Sequence, residues 1–213
     1  MTLHGRRRGA AGRSRNLETE KSLRAELRRD PSDHWLMTRL SATLYEARKY
    51  KDAAIYAKRA LLIQPTCPLV KWDLAGALDM LGKERQAIRL WSGLVRRGAA
   101  RIAKGTCGEG LSWSRALVVD CYYRLALAHY DVGERKKAWR DLATFVRLRR
   151  RWRGGLFRIG EARDVARRWR LQGVSKSGSR TSVGPRMGSL VMEPHGRRPL
   201  SRRTTTRLTP SAG

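Results

Sequence analysis

The sequence repeats itself with a period of 34 residues, and this period limits the possible folds more than any other feature. A third unit follows the second in the same phase after 51 positions, so an insertion of about seventeen residues falls at about 98–115. Such a period is typical of stacked repeats, in which each unit buries its apolar face against the next. The residues that carry the phase are Leu40, Ser41, Leu44 and Ala53, then Leu74, Ala75, Leu78 and Ala87, then Leu125, Ala126, His129 and Ala138.

Each unit is predicted to contain two helices. Apolar residues recur at three- and four-residue steps, as in Ala53, Ala57 and Ala60, which is the period of an amphipathic helix. Gly82 and Gly133 stand where a first helix must end, because glycine enters the left-handed conformation without a steric cost. The small residues in phase mark places where two helices cross closely. We therefore predict an all-α protein, an α-solenoid of stacked helical hairpins.

The two ends of the chain differ from its middle. A further amphipathic helix is expected near the end of the repeats, with Ala162, Val165 and Trp169 on one face. The last 43 residues contain 22 Gly, Pro, Ser or Thr and no aromatic residue, so they cannot bury enough surface to fold. The predicted organisation is a disordered basic arm (1–16), a repeat domain (17–170, with units at about 35–67, 69–98 and 118–148 and a capping helix at about 155–170), and a disordered basic tail (171–213).

The formal net charge is +29, and about two thirds of it comes from residues 1–16 and 149–213. A basic excess at chain ends favours nonspecific attraction to nucleic acid. Arginine outnumbers lysine 37 to 10, so the codon bias of a GC-rich genome is the competing explanation. The residues that would contact phosphates in the nucleic-acid hypothesis are Arg6, Arg7, Arg8, Arg149, Arg150, Arg151, Arg153, Arg197 and Arg198.

Composition excludes several other classes. No apolar run is long enough to span a membrane, and the first sixteen residues do not have the apolar stretch of a secretory signal. The cysteines Cys67, Cys107 and Cys121 are too few and too scattered for a disulfide framework or a zinc site. A reducing, cytoplasmic location is expected, with no metal and no cofactor.

No catalytic constellation is evident. His129 aligns with Leu44 and Leu78 and is therefore interpreted as a packed core histidine. The glycine-rich segment 105–110 does not end in the Lys-Ser/Thr of a phosphate-binding loop, so it is interpreted as a connector. Cys107 within it is a reactive thiol only if a nearby cation lowers its pKa. We predict that the chain is not an enzyme.

The recurring small, alanine and glycine positions resemble the tetratricopeptide repeat family over about residues 35–148. Three departures are visible: Arg48 stands in place of the glycine, His129 in place of an apolar residue, and the proline expected after Val95 is missing. The resemblance implies that the first helices of the units line a concave groove for a peptide or partner protein.

The groove positions implied by the resemblance contain aromatic and acidic residues but no Lys or Arg. The frequency of Lys and Arg in the whole chain predicts about three of them at these positions. They indicate a protein or peptide partner with apolar and basic character. The competing explanation is that several of these residues pack between helices. The lysine and asparagine clamp used for chaperone C-termini is missing. The predicted contacts are Trp35, Tyr45, Glu46, Trp72, Asp79, Asp120, Tyr123, Tyr130 and Asp131. A non-catalytic protein-interaction scaffold is the first hypothesis, and nonspecific RNA or DNA binding through the Arg-rich ends is the alternative.

Overall fold

The computed structural model describes residues 4–152 and 154–175, with side chains for 17–152 and 154–172. All regular structure in these ranges is helical. The helices are α1 (His4–Arg29), α2 (His34–Glu46), α3 (Tyr50–Ile63), α4 (Pro68–Met80), α5 (Glu84–Ala103), α6 (Gly110–Asp131), α7 (Arg135–Arg151) and α8 (Ile159–Ser175).

Each helix packs against the next one along the chain, and α2 also contacts α4. The hairpins α2–α3, α4–α5 and α6–α7 therefore stack in sequence order, with α1 before them and α8 after them. This arrangement confirms the predicted all-α solenoid. Within the described part of the chain, no helix has the length and apolar character needed to cross a membrane.

The first helix of every hairpin ends in the same turn. At Arg48, Gly82 and Gly133 the backbone is left-handed, with φ of 60°, 74° and 84°. The residue after each one donates its N–H to a carbonyl five residues back, at 2.8, 2.9 and 2.8 Å. The turns are thus equivalent, and Arg48 adopts a conformation that is strained for any residue with a Cβ.

We expect Arg48→Gly to stabilise the fold by about 1 kcal/mol, because it removes the steric cost of a left-handed arginine. The measurement is the urea midpoint of the variant beside the parent chain. Gly82→Ala is the matched opposite change and should destabilise by a similar amount. Equal midpoints for all three proteins would contradict the turn geometry.

Small residues hold the helices close together. Ala53, Ala75, Ala87, Ala126 and Ala138 have no exposed surface. In the first hairpin the hydroxyl of Ser41 donates to the carbonyl oxygen of Ala53 at 2.9 Å. The prediction that these positions lie at helix crossings is confirmed.

A leucine at these crossings should push the helices apart. We expect Ala53→Leu and Ala87→Leu each to lower the free energy of unfolding by about 1–3 kcal/mol. Ala143→Leu is the control, because Ala143 lies exposed on α7. If thermal denaturation shows the same midpoint for the crossing variants and the control, the close packing is refuted.

The insertion is largely helical rather than an open loop. Helix α5 passes through a kink at Gly98, where φ is 73°, and continues to Ala103. Only residues 104–109 separate it from α6. The extra residues therefore lengthen both helices and leave a short connector at their far ends.

The helices near both chain ends differ from the predicted bounds. Helix α1 includes residues 4–16, which were expected to be disordered. The helix forms there because arginine and alanine are good helix formers. Its second half is anchored by Leu23, which is 1% exposed, and by Glu20, which lies 2.8 Å from the Lys49 ammonium. Helix α8 begins and ends about five residues later than predicted, and 176–213 lie outside the described residues.

Candidate functional site

The aromatic residue at the centre of the predicted groove is not accessible. Trp72 on α4 is only 6% exposed. Its ring lies 6.3 Å from that of Trp91, which comes from α5 and is fully buried. The expectation that Trp72 offers a central contact to a partner is therefore wrong, because it packs between the helices of its own hairpin.

Tyr45 has a similar role between units. It is 8% exposed, and its ring meets that of Tyr50 edge-on at 5.2 Å. The Tyr45 ring also packs against α4 at Gly76, where a Cβ would lie in ordinary contact with the ring at 3.5 Å. Tyr45 thus fixes the contact of α2 with α4.

In the third unit the predicted contacts are covered by the chain itself. Tyr123 is stacked on Phe157 at 4.3 Å, and Tyr130 is stacked on Trp169 at 4.2 Å with an angle of 3° between the rings. The Tyr130 hydroxyl also donates to Gln172 at 2.7 Å. These aromatic residues, predicted to bind a partner, hold the segment that leads into α8 and the helix itself.

Asp120 is the anchor of this covering segment. It has no exposed surface and pairs with the Arg149 guanidinium, while its second oxygen accepts the N–H of Leu156 at 2.8 Å. Burial raises the pKa of the Asp120 carboxyl, against the opposing effects of Arg149 and of the backbone N–H groups of Leu156 and Phe157. Burial also lowers the pKa of Arg149. Asp120 is therefore not a partner contact, and Arg149 is not available to a phosphate.

Removing one member of this pair should be costly. We expect Asp120→Ala to lower the free energy of unfolding by about 3–5 kcal/mol, because it leaves the Arg149 charge buried without its carboxylate. The control is Asp164→Ala on the exposed surface of α8, which should change little. Urea denaturation of both variants tests the difference, and an Asp120→Ala chain as stable as the control would contradict the assignment.

Five of the predicted contacts are not buried: Glu46 and Asp131 are exposed, and Trp35, Asp79 and Tyr130 are half-buried. Of these, Tyr130 is stacked on Trp169. Glu46, Asp79 and Asp131 lie in the last turns of α2, α4 and α6, a set that we call the acidic turns. Negative charge is disfavoured at a helix C terminus, where the backbone dipole already places partial negative charge.

The arginines of the nucleic-acid hypothesis lie partly within the described chain and partly outside it. Arg150 and Arg151 are exposed in the last turn of α7. For Arg6, Arg7 and Arg8 only the helical backbone is described. Arg153, Arg197 and Arg198 lie outside the described residues.

His129 is a packed core histidine, as predicted. It is 7% exposed, and its Nδ1 lies 2.7 Å from the buried Asp141 carboxylate on α7. Sequence reasoning did not identify Asp141. Its position one turn after Ala138 on the buried face of α7 was the available indication.

Two of the three cysteines meet a histidine. The ligand atoms of His34, Cys67 and Cys107 all lie within 4.8 Å of one another, and we call these residues the His-Cys cluster. Burial raises the pKa of the Cys67 thiol to about 12, and the neighbouring Cys107 adds to the effect. Cys67 and Cys107, scattered in the sequence, are therefore brought together with His34 by the fold.

Neither protein-family models nor curated protein sequences match the chain. Solved structures match its fold. A crystal structure of MamA, a TPR-like helical protein, covers 82% of this chain and 90% of its own, with 19% identity and a TM-score of 0.50. A second crystal structure of MamA protein covers 70% of this chain and 100% of its own, with 12% identity and a TM-score of 0.34. The first comparison shows the fold, a solenoid of stacked helices.

Proposed function

We propose that this chain is a non-catalytic scaffold that binds a basic segment of a partner protein at the acidic turns. The observation that carries the proposal is the position of Glu46, Asp79 and Asp131 in the last turns of three first helices. The last turns of α2 and α4 contain no basic residue. The resemblance to helical-repeat proteins supports the scaffold role.

The electrostatic argument begins with the helix dipole. A carboxylate in a last turn adds to the partial charge of the terminal carbonyl groups, which costs free energy of about 0.3–1 kcal/mol per helix. A cation supplied by a partner interacts favourably with both the carboxylate and the carbonyl groups. The acidic turns therefore gain more from a basic ligand than carboxylates placed mid-helix would.

The rest of the surface directs such a ligand to the acidic turns. On α7 alone, six basic residues are exposed (Lys136, Lys137, Arg140, Arg147, Arg150 and Arg151). The positive charges on this second helix repel a basic segment, and the carboxylates of the acidic turns attract it. This contrast within a chain of net charge +29 gives the binding its direction.

Apolar contacts next to the charges complete the proposed surface. Met80 lies half-buried beside Asp79 in the last turn of α4. Methionine adapts its shape to varied apolar partners. Trp35 is also half-buried, but it stands at the start of α2, at the other end of the helix from Glu46, and is not part of this surface.

One feature favours the nucleic-acid alternative. Lys136, Arg140, Arg147 and Arg151 follow one another at steps of four and seven residues, so they share one face of α7. Such a stripe suits the phosphates of RNA or DNA, and the binding would not depend on the nucleotide sequence. The contacts would come from the exposed face of α7 and not from Arg149, whose side chain is buried.

The test is a selection of random displayed peptides on the full-length chain at moderate salt. We expect the enriched peptides to combine Lys or Arg with an apolar residue. The triple variant Glu46→Lys, Asp79→Lys, Asp131→Lys should bind them about tenfold or more weakly, because each reversal replaces attraction by repulsion.

The control variant changes the same total charge elsewhere, through Glu18→Lys, Asp52→Lys and Asp164→Lys, all of which are exposed. It should keep most of the affinity. Enrichment of acidic peptides, or equal losses in the two triple variants, would rule out the acidic turns as the binding surface. Retention of nucleic acid that is lost in Arg140→Glu with Arg147→Glu would favour the alternative.

A further inference from the structure

The His-Cys cluster joins three distant parts of the chain. His34 is the first residue of α2, Cys67 is the N-cap of α4, and Cys107 lies in the connector from α5 to α6. Cys67 has no exposed surface, Cys107 is 7% exposed, and His34 is half-buried. Two thiols and an imidazole thus converge at a nearly closed position where no other function has been assigned.

The distances suit a metal ion. A tetrahedral zinc ion with bonds of about 2.3 Å to sulfur and about 2.0 Å to nitrogen places its ligand atoms about 3.6–3.8 Å apart. The Cys107 Sγ lies 3.7 Å from the His34 Nε2. All three ligand atoms lie within 4.8 Å of one another, so movements of about 1 Å or less complete the geometry.

Backbone contacts hold the cysteines in place. The Arg97 guanidinium donates to the carbonyl oxygen of Thr66 at 2.6 Å and also lies against Gly105. It therefore joins the residue before Cys67 to the connector that contains Cys107. At Gly108 a Cβ would lie 2.6 Å from the Ile102 carbonyl oxygen, so the connector folds tightly back on the end of α5.

The third ligand is positioned by a helix cap. The Asp33 carboxylate accepts the N–H groups of Trp35 and Leu36 at 2.7 and 3.1 Å, which fixes the start of α2 and with it His34. The Trp35 ring lies 4.8 Å from the imidazole. The three ligands are thus positioned by different local contacts.

We propose that His34, Cys67 and Cys107 form a binding site for one Zn²⁺ ion, with water in the fourth position. Thiolate and imidazole select zinc over calcium and magnesium, which prefer oxygen ligands. On binding, both thiols release their protons to solvent and two sulfur–zinc bonds form. Two thiolates balance the charge of the ion, so the buried site gains no net charge.

The test uses the tag-free, full-length chain, reduced and stripped of metal with a chelator. Zn²⁺ titration with a competing chromophoric chelator should show one high-affinity equivalent, and Co²⁺ should give a thiolate-to-metal charge-transfer absorption. In His34→Gln, Cys67→Ser and Cys107→Ser the affinity should fall by about 100-fold or more, since loss of an outer-shell partner alone costs about 10–100-fold.

Cys121→Ala is the matched control. Cys121 is fully buried in α6 and does not belong to the cluster, so its removal should leave the stoichiometry and the affinity unchanged. The Co²⁺ absorption of the unmodified chain keeps the test valid even if a ligand variant fails to fold.

Three results would overturn the proposal. The first is uptake of less than one equivalent of Zn²⁺ by the reduced parent chain. The second is unchanged affinity in His34→Gln when the variant is folded. The third is a cobalt complex that lacks thiolate-to-metal absorption.

Discussion

The close approach of helices at single alanine residues is the constraint on which the rest of the structure depends. Ala53, Ala87 and Ala138, one in each hairpin, have no exposed surface. A small side chain at these positions lets two helices approach each other closely. Trp91 on α5 and Phe145 on α7 are likewise fully buried in the same core. The Tyr45 ring on α2 lies against Gly76 on α4, so the first helices of the first two hairpins pack against each other.

The features that repeat could be predicted from the sequence because their causes are local. A left-handed turn requires glycine or costs strain, so Gly82 and Gly133 mark helix ends without knowledge of the fold. The structure confirms these ends and shows that Arg48, which stands in place of the glycine in the first unit, adopts the same left-handed conformation. The length of α1 and the helical insertion could not be derived in the same way, since both fall outside the repeat phase.

Exposure of the groove could not be predicted because it depends on residues far away in sequence. Tyr130 is covered by Trp169 from α8, and Trp72 by Trp91. The scarcity of Lys and Arg at the groove positions was attributed to a basic partner. Burial explains much of it, since charged side chains are excluded from packed positions such as Trp72 and Tyr123. Only at the acidic turns, which are not buried, does attraction of a basic partner remain the explanation.

The His-Cys cluster was hidden for a different reason. His34 and Cys67 are separated by 33 residues, close to one repeat, so the phase itself places them near each other at the starts of α2 and α4. Cys107 belongs to the insertion, and no repeat phase predicts where an insertion folds. The position of its thiol depends on the tight connector after α5 and on Arg97, neither of which forms a recognisable short motif.

The two proposed sites lie at opposite ends of the same helices. His34 and Cys67 stand at the starts of α2 and α4, whereas Glu46 and Asp79 stand at or near their ends. Each helix has 13 residues, which corresponds to a length of about 20 Å. At that distance a metal ion cannot touch a ligand held at the acidic turns, and the two bindings are separable by mutation. A zinc ion would instead act on the scaffold, because it would join the starts of two neighbouring first helices to the connector of the insertion. The insertion would then have a structural role, because it brings the third ligand, Cys107, next to the two ligands that the regular repeats supply.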